Sequence, residues 1–147
     1  MANNLIQSIS DGISVAINKY HPDAEIFDES IQQELNPPGY YIGHVQTVSN
    51  QMVGSRFRRI DAFDIHYFGN GAESELLAVA DTLSKALDVI TITHWGETSR
   101  LRGVNMSWSI VSDVLHFLVS YSYHAAYEMA REENMDNVNI GETVKEG

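Results

Sequence analysis

Six histidines and two closely spaced aspartates are the residues of this chain with chemistry to offer. His44, His66 and His116 each fall inside a segment that reads as a β-strand, and His66 and His116 share a face if their strands are neighbours. Three imidazoles on one sheet face are enough to hold a zinc ion. No two of them show the short spacing of a helical or hairpin ligand pair, however, and isolated strand histidines more often pack half-exposed. The reading therefore assigns no metal. Asp61 and Asp64 lie three positions apart on one strand, so they point to opposite faces and cannot work as a carboxylate pair. Gly69-Asn70-Gly71, between a strand and a helix, has the look of a dinucleotide loop, but Ser74 stands where the third glycine belongs, and a tight turn is the better reading. No G-x-S-x-G, P-loop, H-E-x-x-H or EF-hand pattern occurs. Tyr40-Tyr41 and Tyr121-x-Tyr123 offer aromatic surface that can stack bases, yet so few basic residues accompany them that packing or protein contact is favoured. Nothing argues for catalysis, and no cofactor is expected.

The charge balance points the same way. Twenty acids against nine bases give a net charge of −11, which repels a phosphate backbone and argues against a nucleic-acid partner. Five of the nine bases fall in two short segments, Arg56, Arg58 and Arg59, then Arg100 and Arg102. A basic patch on an acidic molecule suits contact between copies or with a complementary protein; solvated strand ends would give the same pattern. The absence of cysteine excludes disulfides, thiolate metal sites and cysteine nucleophiles and fits a reducing cytoplasm. No apolar run is long enough to cross a bilayer, and Met1-Ala2-Asn3-Asn4 has no basic segment leading into an apolar one, so no secretion signal is expected.

The elements that must position these residues follow from periodicity. Leu5, Ile9, Ile13, Ala16 or Ile17, and Tyr20 make an apolar helical stripe, capped by Asn3 or Asn4 and stopped by Pro22. Gly12 within it marks a close approach by another element. Residues 24–28 read as a short strand, 31–35 as one helical turn, 40–48 as a strand, 49–55 as a loop and 57–68 as a long strand with Phe63, Ile65 and Tyr67 on one face. A second helix over 72–87 buries Leu76, Ala80, Leu83 and Leu87 and carries Glu73 and Glu75 at its start, where the helix dipole favours acids. Then come a short strand at 89–93, a connection at 95–98, and strands at 100–110 and 114–123 joined by the Ser112-Asp113 turn as an antiparallel hairpin. Val104, Met106, Trp108 and Ile110 alternate with polar residues along the first of these. The expected fold is α+β: a mostly antiparallel or mixed sheet with two main helices on one face. The reading places one domain at 1–123 and an acidic extension at 124–147, helical over about 125–133 and then too polar to fold alone.

Three stretches carry a resemblance to a known family: Phe63-Asp64-Ile65-His66-Tyr67-Phe68 after an arginine-bearing strand start, Arg102-Gly103-Val104-Asn105-Met106 leading to Val114-Leu115-His116-Phe117, and Glu25-Ile26-Phe27-Asp28-Glu29 before a proline-bounded strand. Over about Leu5 to Tyr123 the chain resembles the tail terminator proteins of long-tailed bacteriophages, particularly those of Gram-positive hosts. The resemblance implies a structural virion protein without enzymatic activity or cofactor, assembled in the host cytoplasm. It implies a hexameric ring on the head-proximal end of the tail tube that stops tube growth and offers a surface for head joining. The implied partners are further copies of the chain, the tail tube protein, a head–tail connector or neck protein, and a sheath protein as a further candidate. On this view Arg56, Arg58, Arg59, Arg100 and Arg102 are candidate subunit or tube contacts. A neck connector is the alternative, and a small cytoplasmic ligand- or metal-binding domain using the histidine face is a second.

Overall fold

The computed structural model describes residues 4–27, 38–52, 54, 56–94 and 96–126. Two helices and six strands follow in the order α1 (Leu5–Tyr20), β1 (Glu25–Phe27), β2 (Gly39–Gln51), β3 (Arg56–Phe68), α2 (Glu73–Ala86), β4 (Val89–His94), β5 (Glu97–Val111) and β6 (Val114–Ala126). The sheet order is β1-β2-β3-β6-β5-β4, so the last strand of the chain lies between its third and fifth. β1 runs parallel to β2, while β4–β5 and β5–β6 are antiparallel. The fold is thus α+β with a mixed sheet, as expected. Two units are distinguished by their internal contacts, one of Met1–Thr47 with Asp61–Ser122, the other of Val48–Ile60 with Tyr123–Gly147. The expected helical turn at 31–35 and helix at 125–133 fall largely outside the described residues; at the start of the latter, Ala125 and Ala126 still belong to β6.

Each helix forms for reasons visible in its residues. The Asn4 side chain accepts a hydrogen bond of 2.7 Å from the backbone N–H of Gln7 and so caps α1. Leu5, Ile9, Ile13 and Ile17 are buried along one stripe, whereas Tyr20, counted with them in the sequence, is 56% exposed. Tyr20 is the last residue of the helix, and at that end position its side chain is left largely in solvent. In α2 the expected residues Leu76, Ala80, Leu83 and Leu87 are all buried. α1 packs on β4 and α2, and α2 also touches β5. Gly12 lets α1 come close: a Cβ there would lie 2.8 Å from the carbonyl oxygen of Thr91 and 3.1 Å from the Ile92 side chain. Ser8 and His94 share a buried hydrogen bond of 3.0 Å across the same contact.

Both helices lie over one face of the sheet. Registers Ile90↔Leu101 and Gly103↔Tyr121 put these four residues on the same side, continued on β6 by Val119, Phe117 and Leu115. The end of α2 lands on this side. The buried Tyr121 hydroxyl donates to the carbonyl oxygen of Leu87 at 2.7 Å, and the Gly103 N–H donates to that of Asp88 at 2.7 Å. A Cβ on Gly103 would sit 2.5 Å from the Leu87 carbonyl oxygen. Burial, and secondarily the charge of Asp88, push the Tyr121 phenol well above its ordinary pKa, so it remains a donor at any working pH.

Three strand assignments differ from the sequence reading. Residues 49–51 continue β2, and Glu97 and Thr98 open β5, because exposed strand ends need no apolar alternation to pair. Val104 does not share a face with Trp108 and Ile110. The register slips by one residue between Val104 and Ser107, where Asn105 takes a φ of +57°, and this bulge turns Val104 to the face away from the helices. The Ser112-Asp113 turn is as expected, with both residues at positive φ, the form that suits a two-residue hairpin.

Replacing Gly103 by Ala should lower the free energy of unfolding by about 1–3 kcal/mol, and Tyr121→Phe by about 1–2 kcal/mol. Urea denaturation measures both. An unchanged midpoint for Gly103→Ala would show that the end of α2 is not held so tightly against β5.

Candidate functional site

The polar side chains of the sheet gather in three places. On the face away from the helices, Asp64 and His66 alternate along β3 and meet His116 on neighbouring β6. Asp64 Oδ2 lies 3.0 Å from His66 Nε2 and 3.4 Å from His116 Nδ1. The two imidazole rings are 4.2 Å apart between centroids. Tyr41 and Phe68 flank His66 at 5.4 and 6.3 Å. The second oxygen of the carboxylate, Asp64 Oδ1, is buried and has no hydrogen-bond partner.

Of the three strand histidines singled out in the sequence, His66 and His116 do come together, while His44 does not join them. His44 Nε2 is 3.2 Å from Asp61 Oδ1, and the Thr47 hydroxyl donates to the same oxygen. Asp61 is fully buried and Asp64 partly exposed, on opposite faces as their spacing requires. The spacing of Asp61 and Asp64 gives no sign of the histidine partners. The signal that would have found a real partner of Asp64 is Asp64-x-His66, since residues two apart on a strand share a face.

The third group lies under the helices. Tyr67 donates to Glu75 Oε2 at 2.7 Å, and the Asn70 N–H donates to Oε1 at 3.0 Å. Ala72 caps α2 without a side-chain bond, so Glu75 reaches back to the preceding turn. Tyr40 packs against Tyr67 at 4.8 Å and shares a 3.0 Å hydrogen bond with His21. The Tyr67 bond, then the Asn70 N–H, hold the Glu75 carboxyl below its usual pKa, whereas burial first and Glu75 second raise both phenols above theirs. A shallow cavity of about 200 Å³ beside this group is lined by Ile17, His21, Tyr40 and Leu83 among others, and by none of the three strand histidines.

The arginines occupy two settings. Arg56, Arg58 and Arg59 stand at the start of β3, in the second unit, with Arg56 and Arg58 exposed. Arg100 and Arg102 alternate on β5 in the first unit, and Arg102 forms an exposed ion pair with Asp88 at 3.2 Å. The β5–β6 hairpin also exposes apolar side chains: Val104, Val111 and Leu118 on one face, Trp108 on the other. Trp108 stacks on buried Phe117 with ring centroids 5.6 Å apart and planes 8° from parallel, yet remains 42% exposed. The geometry offers protein-contact surface and contains no nucleophile–base pair aimed into a cavity among the described residues.

One family profile, described as phage tail terminator protein, matches residues 8–136. The chain belongs to the phage tail terminator family. This family is a structural one, and the terminator is accordingly a component of the phage tail. The match runs past Tyr123, where the sequence resemblance was drawn to end, into the residues read as an extension. Comparison with curated proteins gives no match. No helix among the described residues is long and apolar enough to cross a membrane.

The Glu75 group supplies a pH test. A carboxyl whose folded pKa is lowered contributes fully above the unfolded glutamate value, and its contribution is lost as pH falls through the folded one. Tyr67→Phe removes the largest cause of the lowering. It should cost about 1 kcal/mol at pH 7, with the gap to the unaltered chain narrowing below about pH 4. Urea unfolding of both chains at neutral and acid pH reads the difference; a constant gap would mean that Tyr67 acts through packing alone.

Proposed function

We propose that the terminator assembles as a ring, hexameric as the family resemblance implies, on the head-proximal end of the tail tube. It ends tube polymerisation there and presents the surface to which the head joins, at the tail–neck junction of the virion. The observation that supports this most is the family match over residues 8–136. Its partners in this reading are copies of itself, the tube protein and a head–tail connector, with a sheath protein as a further candidate. The terminator acts by binding, not by catalysis.

A ring requires a heterologous interface, in which one patch meets a different patch on the next copy. With a net charge of −11, like surfaces repel, so register depends on the few cations. Arg56, Arg58 and Arg59, with residues 46–55 beside them in the chain, serve as one half of a subunit or tube contact, and Arg100 and Arg102 contribute a second basic segment. The exposed hairpin side chains, Trp108 above all, supply apolar area that an acidic surface alone cannot.

Two measurements bear on this reading. Electron microscopy of lysates from a phage lacking the gene should show tails of uncontrolled length. Headless tails of normal length would move the chain to a neck-connector role, and intact infectious particles would sink both assignments. Joint reversal of Arg58 and Arg59 to Glu should abolish tail capping in complementation while shifting thermal unfolding by no more than a few degrees. Unfolding of the variant would assign these arginines to the fold instead.

A further inference from the structure

We propose that Asp64, His66 and His116 form a binding site for one divalent transition-metal ion of the zinc type, on the sheet face away from the helices. Three observations converge. The donor set is two imidazole nitrogens and a carboxylate, the mixture that zinc and its neighbours prefer over magnesium or calcium, which take oxygen. The spacing also fits. Around a tetrahedral ion with bonds of about 2.0–2.1 Å, adjacent donor atoms lie roughly 3.3–3.4 Å apart. Asp64 Oδ2 stands 3.0 Å from His66 Nε2 and 3.4 Å from His116 Nδ1, and one donor atom from each of the three residues lies within 4.8 Å of the others.

The third observation is an unmet demand. Both imidazoles converge on one carboxylate oxygen and leave Asp64 Oδ1 buried without a donor. An unpaired buried carboxylate oxygen costs free energy that a cation bound at the same carboxylate recovers. The site remains open to exchange, because the three side chains are 25%, 26% and 27% exposed. A chain of net charge −11 also concentrates divalent cations at its surface. Three protein donors leave one position for water or an incoming ligand. The ion links β3 to β6, neighbours in the sheet whose ligands are 50 residues or more apart in the chain, at Asp64, His66 and His116. It acts as a cross-strand clip whose fourth position stays open to solvent or a further ligand.

The position does not depend on the terminator assignment, so its test is separate. Metal-free full-length protein is titrated with zinc by calorimetry, with magnesium as the comparison ion, and its thermal unfolding is followed with and without zinc. One zinc per chain should bind, magnesium should not compete, and zinc should raise the unfolding temperature. His116→Gln and Asp64→Asn should each weaken binding at least tenfold and abolish the thermal shift, whereas His124→Gln, an exposed histidine elsewhere, should leave both intact. Circular dichroism confirms that the variants are folded; should one fail to fold, the other and His66→Gln carry the comparison. Cobalt in place of zinc should give the visible absorption of a four-coordinate nitrogen–oxygen site. Failure to bind zinc, or binding that survives loss of Asp64 and His116, would overturn the site.

Discussion

The end of α2 pressed onto the sheet is the contact on which the rest of the structure depends. Just past the helix, the carbonyls of Leu87 at its C-cap and of Asp88 have no helical N–H to accept from. The Tyr121 hydroxyl and the Gly103 N–H take them up, one from β6 and one from β5. Only glycine at 103 allows that approach, since any side chain would overlap the Leu87 carbonyl oxygen. Once this point is fixed, α1 packs beside α2 and settles on β4 through Gly12, and the apolar residues of both helices cover a single face.

That arrangement divides the sheet into a structural and an available side. Under the helices, polar groups are matched to internal partners: Ser8 with His94, and Tyr67 with Glu75. On the other side stand Asp64, His66 and His116, together with Val104 and Leu118, which are solvent-exposed apolar residues. A protein that functions by joining others needs such a face, because a fully satisfied surface offers a partner little beyond shape. The acidic net charge keeps that exposed surface from promoting indiscriminate association.

Much of this was legible in the sequence where the signal is local. The stripes of α1, Tyr20 apart, and of α2, the cap by Asn3 or Asn4 and the Ser112-Asp113 turn are written in spacings of a few residues, and they hold. The α+β class follows from the order of such elements. What could not be read depends on residues distant in the chain. Placing β6 beside β3 is a decision of packing, and it alone brings His116 to His66. Asp61 is buried because His44 and Thr47 reach it from another strand, which no periodicity announces. Val104 was misplaced because one residue of bulge at Asn105 reverses alternation, and an asparagine in a polar–apolar pattern gives no warning of it. Tyr20 shows the opposite limit: it continues the helical period at the last position of α1, yet its side chain stays mostly in solvent.

The position of the last strand also has a bearing on how the molecule comes into being. β1, β2 and β3 form one side of the sheet, β4 and β5 the other, and β6 alone joins them. During synthesis neither half has its central neighbour until residues 114–126 have left the ribosome. Until then the chain presents two open strand edges to its surroundings, the condition under which nascent sheets mispair with one another. Completion is therefore a single late event, dominated by contacts between distant parts of the chain and slow by that measure. A truncated product that lacks β6 would keep most of its helices and strands but hold them in two separate sheet fragments, β1-β2-β3 and β4-β5, with no strand to join them.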